Sequence, residues 1–159
     1  ERGFSSDEMT KALYTAAGIG GVIAQRASVS GAAGGCQAEI GAASAMAAGG
    51  AACLMGGDGE TIAHAAALAM KNLLGLACDP VAGLVEVPCV KRNVIGAVNA
   101  LTSADLACSG IRSKIPPDQV FDAMRSIGKL LPEELKETGR GGLAATPAGI
   151  SYRENIKGF

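Results

Sequence analysis

Three cysteines of this 159-residue chain stand where a thiolate could serve as a metal ligand. Cys36 follows two glycines, Cys78 begins a stretch rich in proline and glycine, and Cys89 follows a proline. They are separated by 42 and 11 residues and form no C-x-x-C pair, so ferredoxin-like, zinc-ribbon and thioredoxin motifs are absent. Their places at predicted helix ends or in loops favour thiols that face a common point. Position alone leaves a second interpretation open, in which they are small buried side chains.

The other two cysteines and the histidine are interpreted as structural or, for the histidine, as solvent-exposed. Cys53 and Cys108 lie inside apolar runs, where free cysteine behaves as a small buried hydrophobe. His64, the only histidine, lies in an alanine-rich stretch and is predicted to be structural or solvent-exposed. Five cysteines without a framework spacing favour free thiols or metal ligands over disulfides.

The elements that must position the three cysteines are predicted to be helices. No apolar alternation persists along the chain, and the only plausible strand is 81–87, so the predicted fold is all-α. The cysteine-bearing stretch 75–89 is a loop between two helices, and the tail from Gly139 onward is mostly irregular. The predicted helices run from a capping box at Ser5 to Ala17, from Cys36 to Ala48, from Asp58 or Thr61 to Leu74, from Cys89 to Cys108, and from Pro116 to Leu130.

The composition excludes several classes of protein. With 30 alanines and 23 glycines, a third of the chain has very small side chains, which predicts tightly packed helices. A net charge of −1 gives no basic excess for binding nucleic acid or anionic membranes. The uncharged stretch 40–57 is near the length of a membrane span, but its alanines and glycines favour a buried core helix. No export signal is visible, so we expect a cytoplasmic protein.

Three longer stretches carry a specific resemblance. They are 28–41 (SVSGAAGGCQAEIG), 72–93 (NLLGLACDPVAGLVEVPCVKRN) and 137–144 (ETGRGGLA), and the similarity runs from about Ala27 to Ala148. Together they resemble the alpha subunit of the iron–sulfur-dependent L-serine dehydratases. In that family three cysteines bind a [4Fe–4S] cluster, and the resemblance places them at Cys36, Cys78 and Cys89.

The resemblance also implies a reaction and a partner. Residues 1–159 would form the cluster-bearing catalytic (alpha) segment of a larger lyase that converts L-serine to pyruvate and ammonia. Three protein thiolates leave one iron open as a Lewis acid for the substrate hydroxyl. A beta chain or domain would supply substrate-binding groups and a histidine, so the catalytic base is expected outside this chain. The isolated segment is therefore predicted to be inactive.

Six polar residues near these motifs are candidates for contacts with the substrate or the cluster ligands. Each has a plainer interpretation, as a solvated side chain or, for Asp79, as the cap of a local turn. The candidates are Glu39, Asp79, Lys91, Arg92, Asn93 and Arg140.

Two rival functions remain open. One is a structural zinc module that uses the same cysteines, although zinc would want a fourth ligand and no cysteine or histidine has a suitable spacing. The other is a helical interaction module with incidental cysteines. Anaerobic reconstitution with iron and sulfide would separate all three functions.

Overall fold

Helices account for nearly all the regular structure of this chain. The computed structural model describes residues 3–157, and within that range it contains seven α-helices and no β-strand. The prediction of an all-α fold is therefore confirmed. The helices are α1 (Ser6–Arg26), α2 (Gly31–Gly34), α3 (Ala42–Leu54), α4 (Gly59–Lys71), α5 (Cys89–Cys108), α6 (Pro117–Leu130) and α7 (Pro147–Lys157). Between them lie one π-helical turn (Gln37–Gly41) and three 3-10 turns (Val81–Gly83, Glu133–Leu135 and Gly142–Ala145).

Helix α1 extends past the point where its sequence predicts an end. It begins at the expected capping box, but the predicted stop at Gly18 is wrong, because the helix continues to Arg26. A glycine inside a helix costs about 1 kcal/mol relative to alanine. Packing offsets that cost here: Ile23 is fully buried, and a Cβ on Gly20 would lie only 2.8 Å from the Met46 side chain of α3.

Helix α3 packs against three other helices, α1, α4 and α5. A Cβ added to Gly50 would lie 3.3 Å from the carbonyl oxygen of Ala12, so α3 and α1 approach almost backbone to backbone. Because small side chains bury little area each, close approach of the helices takes the place of bulky packing. The buried residues of α3 are all serine or smaller: Ala42, Ser44, Ala45, Ala48, Gly49, Gly50 and Ala52.

Larger side chains form a second cluster beside this alanine-rich core. Ile23 of α1 packs there with Met70 of α4 and with Phe121 and Met124 of α6. The prediction that the uncharged stretch 40–57 forms a buried core helix agrees with the burial of α3 among these helices. No helix between residues 3 and 157 has the length and hydropathy needed to cross a membrane.

The segment between α4 and α5 carries Cys78 and forms turns. The Val81 N–H donates to the Val87 carbonyl at 2.9 Å and closes a turn, so the strand considered for this stretch is wrong. Helix α4 begins after Asp58, whose carboxylate caps it, but ends earlier than predicted. Helix α5 begins at Cys89 and ends at Cys108, as the sequence predicts.

The tail contains a helix that the sequence analysis missed. Helix α7 begins at Pro147, and the Thr146 hydroxyl accepts a hydrogen bond from the Gly149 N–H at 3.1 Å. Threonine as N-cap and proline at the first helical position are ordinary helix-start signals. The prediction of an irregular tail is therefore wrong. Helix α7 packs on the 3-10 turn that follows Cys78.

Candidate metal centre

The structure brings three cysteine thiols together from three separate segments. The Sγ atoms of Cys36, Cys78 and Cys89 all lie within 4.8 Å of one another. Cys36 is fully buried, Cys78 is 2% exposed, and Cys89 is half-buried at the edge of the group. Within residues 3–157 no other group of three cysteine, histidine or carboxylate side chains is arranged to hold a metal ion. The arrangement could hold a metal ion or a small cluster through thiolates.

Cys36 is positioned by the π-helical turn at the start of α3. The helix predicted from Cys36 opens with this turn, a local irregularity that is frequent at functional sites. Gln37 is fully buried, and its amide donates to the Met124 carbonyl at 3.0 Å and accepts from the Gly75 N–H at 2.9 Å. Its backbone N–H donates to the Leu76 carbonyl at 3.0 Å. Gln37 therefore fastens the Cys36 segment to α6 and to the segment that carries Cys78.

Cys78 is held by backbone pairing with the tail. Its N–H donates to the Leu135 carbonyl at 2.8 Å, and its carbonyl accepts from the Glu137 N–H at 2.9 Å. Together these bonds form an isolated parallel bridge between Cys78 and Lys136. The pairing fixes the direction of the Cys78 side chain and brings Lys136 and Glu137 beside the thiols.

A buried ion pair lies directly behind the thiols. The Arg92 Nη1 atom donates to the Asp79 carboxylate at 2.7 Å and to the Ala77 carbonyl at 2.7 Å, and it lies 3.9 Å from the Cys36 Sγ. The side chains are 19% exposed for Arg92 and 6% for Asp79. The second Asp79 oxygen accepts from the Leu143 N–H at 2.8 Å. The pair thus links α5, the Cys78 segment and the tail.

The same contacts shift the pKa values of several of these groups. Burial raises the pKa of the Cys78 thiol, and the neighbouring Cys36 and Glu39 raise it further. Burial also raises the pKa of Cys89. The neighbouring Cys36 raises it further, and Arg92 lowers it. Burial lowers the pKa of Arg92, but Asp79 and Cys36 together outweigh it and the net direction is upward. A bound metal cation would favour the thiolate forms, because its charge reverses the local balance.

An open cleft of about 410 Å³ leads to two of the thiols. Glu39, half-buried on the π-helical turn, faces it together with Lys136 and Glu137. The backbone of Glu137 has a φ of 65°, a conformation uncommon outside glycine. The cleft residues are Ala32, Glu39, Cys78, Pro80, Gly83, Val85, Cys89, Lys136 and Glu137.

Of the six polar candidates from the sequence, Glu39 alone lines the cleft, and three others are exposed at the surface. The Lys91 ammonium donates to the Glu86 carbonyl at 3.2 Å, and the Asn93 amide donates to the Cys89 carbonyl at 3.1 Å, both at the surface. Arg140 is 58% exposed and forms an ion pair with Glu133. Their predicted contacts with substrate or cluster remain predictions. Glu39, Asp79 and Arg92 are the candidates that the fold places beside the thiols.

Three residues were interpreted as structural from the sequence: His64, Cys53 and Cys108. His64 is 15% exposed, and its Nδ1 accepts from the Ser113 N–H at 3.2 Å, which fits a structural role between α4 and the segment after α5. Cys53 is half-buried. The prediction that Cys108 is buried is wrong: it is exposed at the end of α5, where the helix leaves the core.

Sequence reasoning missed Gln37, Lys136 and Glu137. A signal existed for Gln37, because a large polar residue beside Cys36 among alanines and glycines needs partners if it is buried. Glu137 opens the stretch 137–144 that carries the resemblance, but the sequence does not predict that it and Lys136 lie beside Cys78, where the pairing of the tail brings them.

An all-helical scaffold with a converging trio of thiols is compatible with metal binding. Residues 1–144 match the family model described as the serine dehydratase alpha chain, so the chain belongs to that family. The family named from the three stretches of sequence is confirmed.

Relatives with curated names agree. The chain is 59% identical over 152 residues to a probable L-serine dehydratase alpha chain of Latilactobacillus sakei, covering 96% of this chain and 73% of that one. It is 57% identical over 152 residues to the probable alpha chain of Bacillus subtilis (strain 168), and 47% identical over 153 residues to the alpha chain of Peptoniphilus asaccharolyticus. Each match covers 96% of this chain, but it spans only 51% and 52% of those two relatives.

Proposed function

We propose that this chain is the cluster-bearing part of an iron–sulfur L-serine dehydratase. In this proposal Cys36, Cys78 and Cys89 hold a [4Fe–4S] cluster, and the complete enzyme eliminates water from L-serine. The resulting aminoacrylate then hydrolyses to pyruvate and ammonia. The observation that carries the proposal is the convergence of three thiols within 4.8 Å, two of which line an open cleft.

The donor set fits such a cluster. All three side chains are thiols, the usual ligands of iron–sulfur clusters. No fourth cysteine, histidine or carboxylate among residues 3–157 joins the group, whereas a structural zinc site is normally closed by four protein ligands. When bound, a cluster with three protein thiolates would supply one iron without a protein ligand, able to act as a Lewis acid on a hydroxyl.

The chain's own residues would orient the ligands. Asp79 holds the Arg92 guanidinium in place, and the guanidinium in turn fixes the Ala77 carbonyl and approaches the Cys36 sulfur. A positive charge beside a thiolate stabilises its ionised form. Partners of this kind around metal ligands typically tune affinity and reactivity. We therefore assign Arg92 and Asp79 to ligand positioning rather than to direct contact with substrate.

The charges along the cleft suit a free amino acid. Lys136 is a cationic residue that complements a carboxylate, whereas Glu39 and Glu137 are acidic residues that complement an ammonium group. L-serine has both groups at neutral pH. Within the described residues His64 lies at a separate place, in contact with Ser113, so the base that removes the Cα proton is expected from a beta chain or domain.

The proposed compartment is the cytoplasm. The five cysteines are free in the structure, and a site built on free thiols suits a reducing environment.

Anaerobic reconstitution with iron and sulfide tests the proposal. We expect a brown protein with about four irons and about four sulfides per chain, as a [4Fe–4S] cluster requires. The Cys36→Ser variant should stay colourless, and Cys53→Ala, at a half-buried cysteine outside the trio, should load like the parent. A colourless parent that binds a single zinc ion would support the zinc module instead.

A further inference from the structure

Helix α5 is apolar on two opposite faces. One face is buried against α3 and α4 and includes Gly96, Ala100, Ser103, Ala104 and Ala107. The other, which we call the outer face of α5, points into solvent. Its residues are Val90, Val94, Val98 and Leu101, with exposed fractions of 54%, 65%, 60% and 62%. A helix that is hydrophobic all round is normally buried all round.

The outer face is a continuous stripe rather than a scatter of single apolar residues. Its members follow one another at intervals of four, four and three residues, so they line one side of the helix over roughly 16 Å. No charged residue occurs between Arg92 and Asp105. Isolated exposed aliphatic residues are common on proteins, whereas a contiguous uncharged stripe marks a contact surface.

We propose that the outer face of α5 is covered by the part of the serine dehydratase alpha chain that this chain does not span. The matched 152 residues are 51% of the Bacillus subtilis alpha chain, so a segment of about equal size lies outside the match. The Peptoniphilus asaccharolyticus alpha chain leaves a similar share outside, and the Latilactobacillus sakei alpha chain leaves 27%. A segment of that size is large enough to form a second layer over α5.

The size of the outer face favours this occupant over a second copy of the chain. Four aliphatic side chains form a small patch beside the ≈800 Å² per partner that a stable, independent complex usually buries. A segment joined to the same polypeptide meets the patch at a high effective concentration and needs less area. The occupant is therefore part of one folded alpha chain, with apolar side chains that complement the stripe.

The location of the outer face gives this contact a consequence for the site. Val90 directly follows Cys89, and Val85 lines the cleft. The covering segment would thus lie beside the opening to the thiols. The inference rests on the faces of α5 and on the relatives' lengths, so it stands apart from the proposed cluster and from serine chemistry. It is tested on metal-free protein.

A chimera provides the test. The matched 152 residues of the Bacillus subtilis alpha chain would be replaced by this chain, so that the remaining segment stays joined to the same polypeptide. We expect the joined segment to resist limited proteolysis. Val98→Glu and Leu101→Glu should each speed proteolysis of the segment at least about tenfold, since each places a charge in a buried apolar contact. Leu130→Glu is the matched control, because Leu130 is 83% exposed and lies on α6.

The variants should fold alone, because their side chains already face solvent, and unchanged circular dichroism and thermal midpoint would show this. Proteolysis of the segment at the parent rate in both glutamate variants would overturn the inference. So would a parent chimera whose segment is digested as fast as an unfolded chain. A homodimer of this chain that Val98→Glu dissociates would overturn the assigned occupant and give the surface to a second copy.

Discussion

Replacing Arg92 with methionine removes one half of the buried ion pair behind the thiols. Methionine keeps much of the aliphatic stem but no charge, so Asp79, at 6% exposure, would be left without its cation. The carboxylate would keep its hydrogen bond from the Leu143 N–H, and the Ala77 carbonyl would lose its only side-chain donor among the described contacts. The folded state should therefore be destabilised well beyond a surface substitution.

The expected magnitude follows from the burial of the pair. Removing one partner of a buried salt bridge typically costs about 3–5 kcal/mol. Arg92 is 19% exposed and Asp79 keeps one hydrogen bond, so we expect the lower end, about 3 kcal/mol. For a domain of this size that corresponds to a fall in Tm of about 6–12 °C. The loss is a large share of the roughly 5–15 kcal/mol typical of folded domains.

Urea denaturation of the reduced, metal-free chain would measure this loss. Arg140→Met is the matched control, because Arg140 and its partner Glu133 are 58% and 77% exposed, and exposed pairs contribute at most about 1 kcal/mol. Adding Asp79→Asn to Arg92→Met should recover part of the loss, since the amide needs no counter-charge. Equal effects of Arg92→Met and Arg140→Met, or no recovery in the double variant, would refute the reasoning.

Further outcomes concern the cysteines and the activity. Cys36→Ser, Cys78→Ser and Cys89→Ser should each prevent iron retention after reconstitution, whereas Cys108→Ala should retain iron and change the free energy of unfolding by no more than about 0.5 kcal/mol, because Cys108 is exposed. In the metal-free protein, iodoacetamide should modify Cys108 first and the buried Cys36 and Cys78 last, as read by mass spectrometry of peptides; an early reaction at Cys36 would contradict the described burial. The reconstituted chain alone should release no pyruvate from L-serine in a coupled assay, and measurable release would show that the base lies within this chain.

The parts of the fold that were predictable from sequence are those with local signals. Helix α5 has the predicted bounds because a proline precedes it and a glycine follows it. The end of α1 was mispredicted because Gly18 is a local stop signal, and its cost is offset by packing on α3 that only the folded chain reveals. Helix α7 was missed although Thr146 and Pro147 mark its start.

The candidate site divides in the same way. The three cysteines could be singled out from their motifs, and the fold brings them together. Whether Arg92 faces solvent or Asp79 could not be deduced, because the answer depends on how α5 rotates against the segment after α4. The approach of Lys136 to Cys78 depends on a single bridge between distant parts of the chain, for which the sequence carries no periodic signal.

The small side chains of α3 make its tolerance of mutation one-sided. In a leucine-rich core a typical damaging substitution leaves a void, and a neighbour can relax into it. Here the buried residues are alanine, glycine and serine, so most substitutions enlarge the side chain. A methyl group at Gly50 would already lie 3.3 Å from a carbonyl oxygen of α1. Overpacking of this kind forces helices apart at about 1–3 kcal/mol per site. Drift at these positions should therefore be confined to exchanges among glycine, alanine and serine.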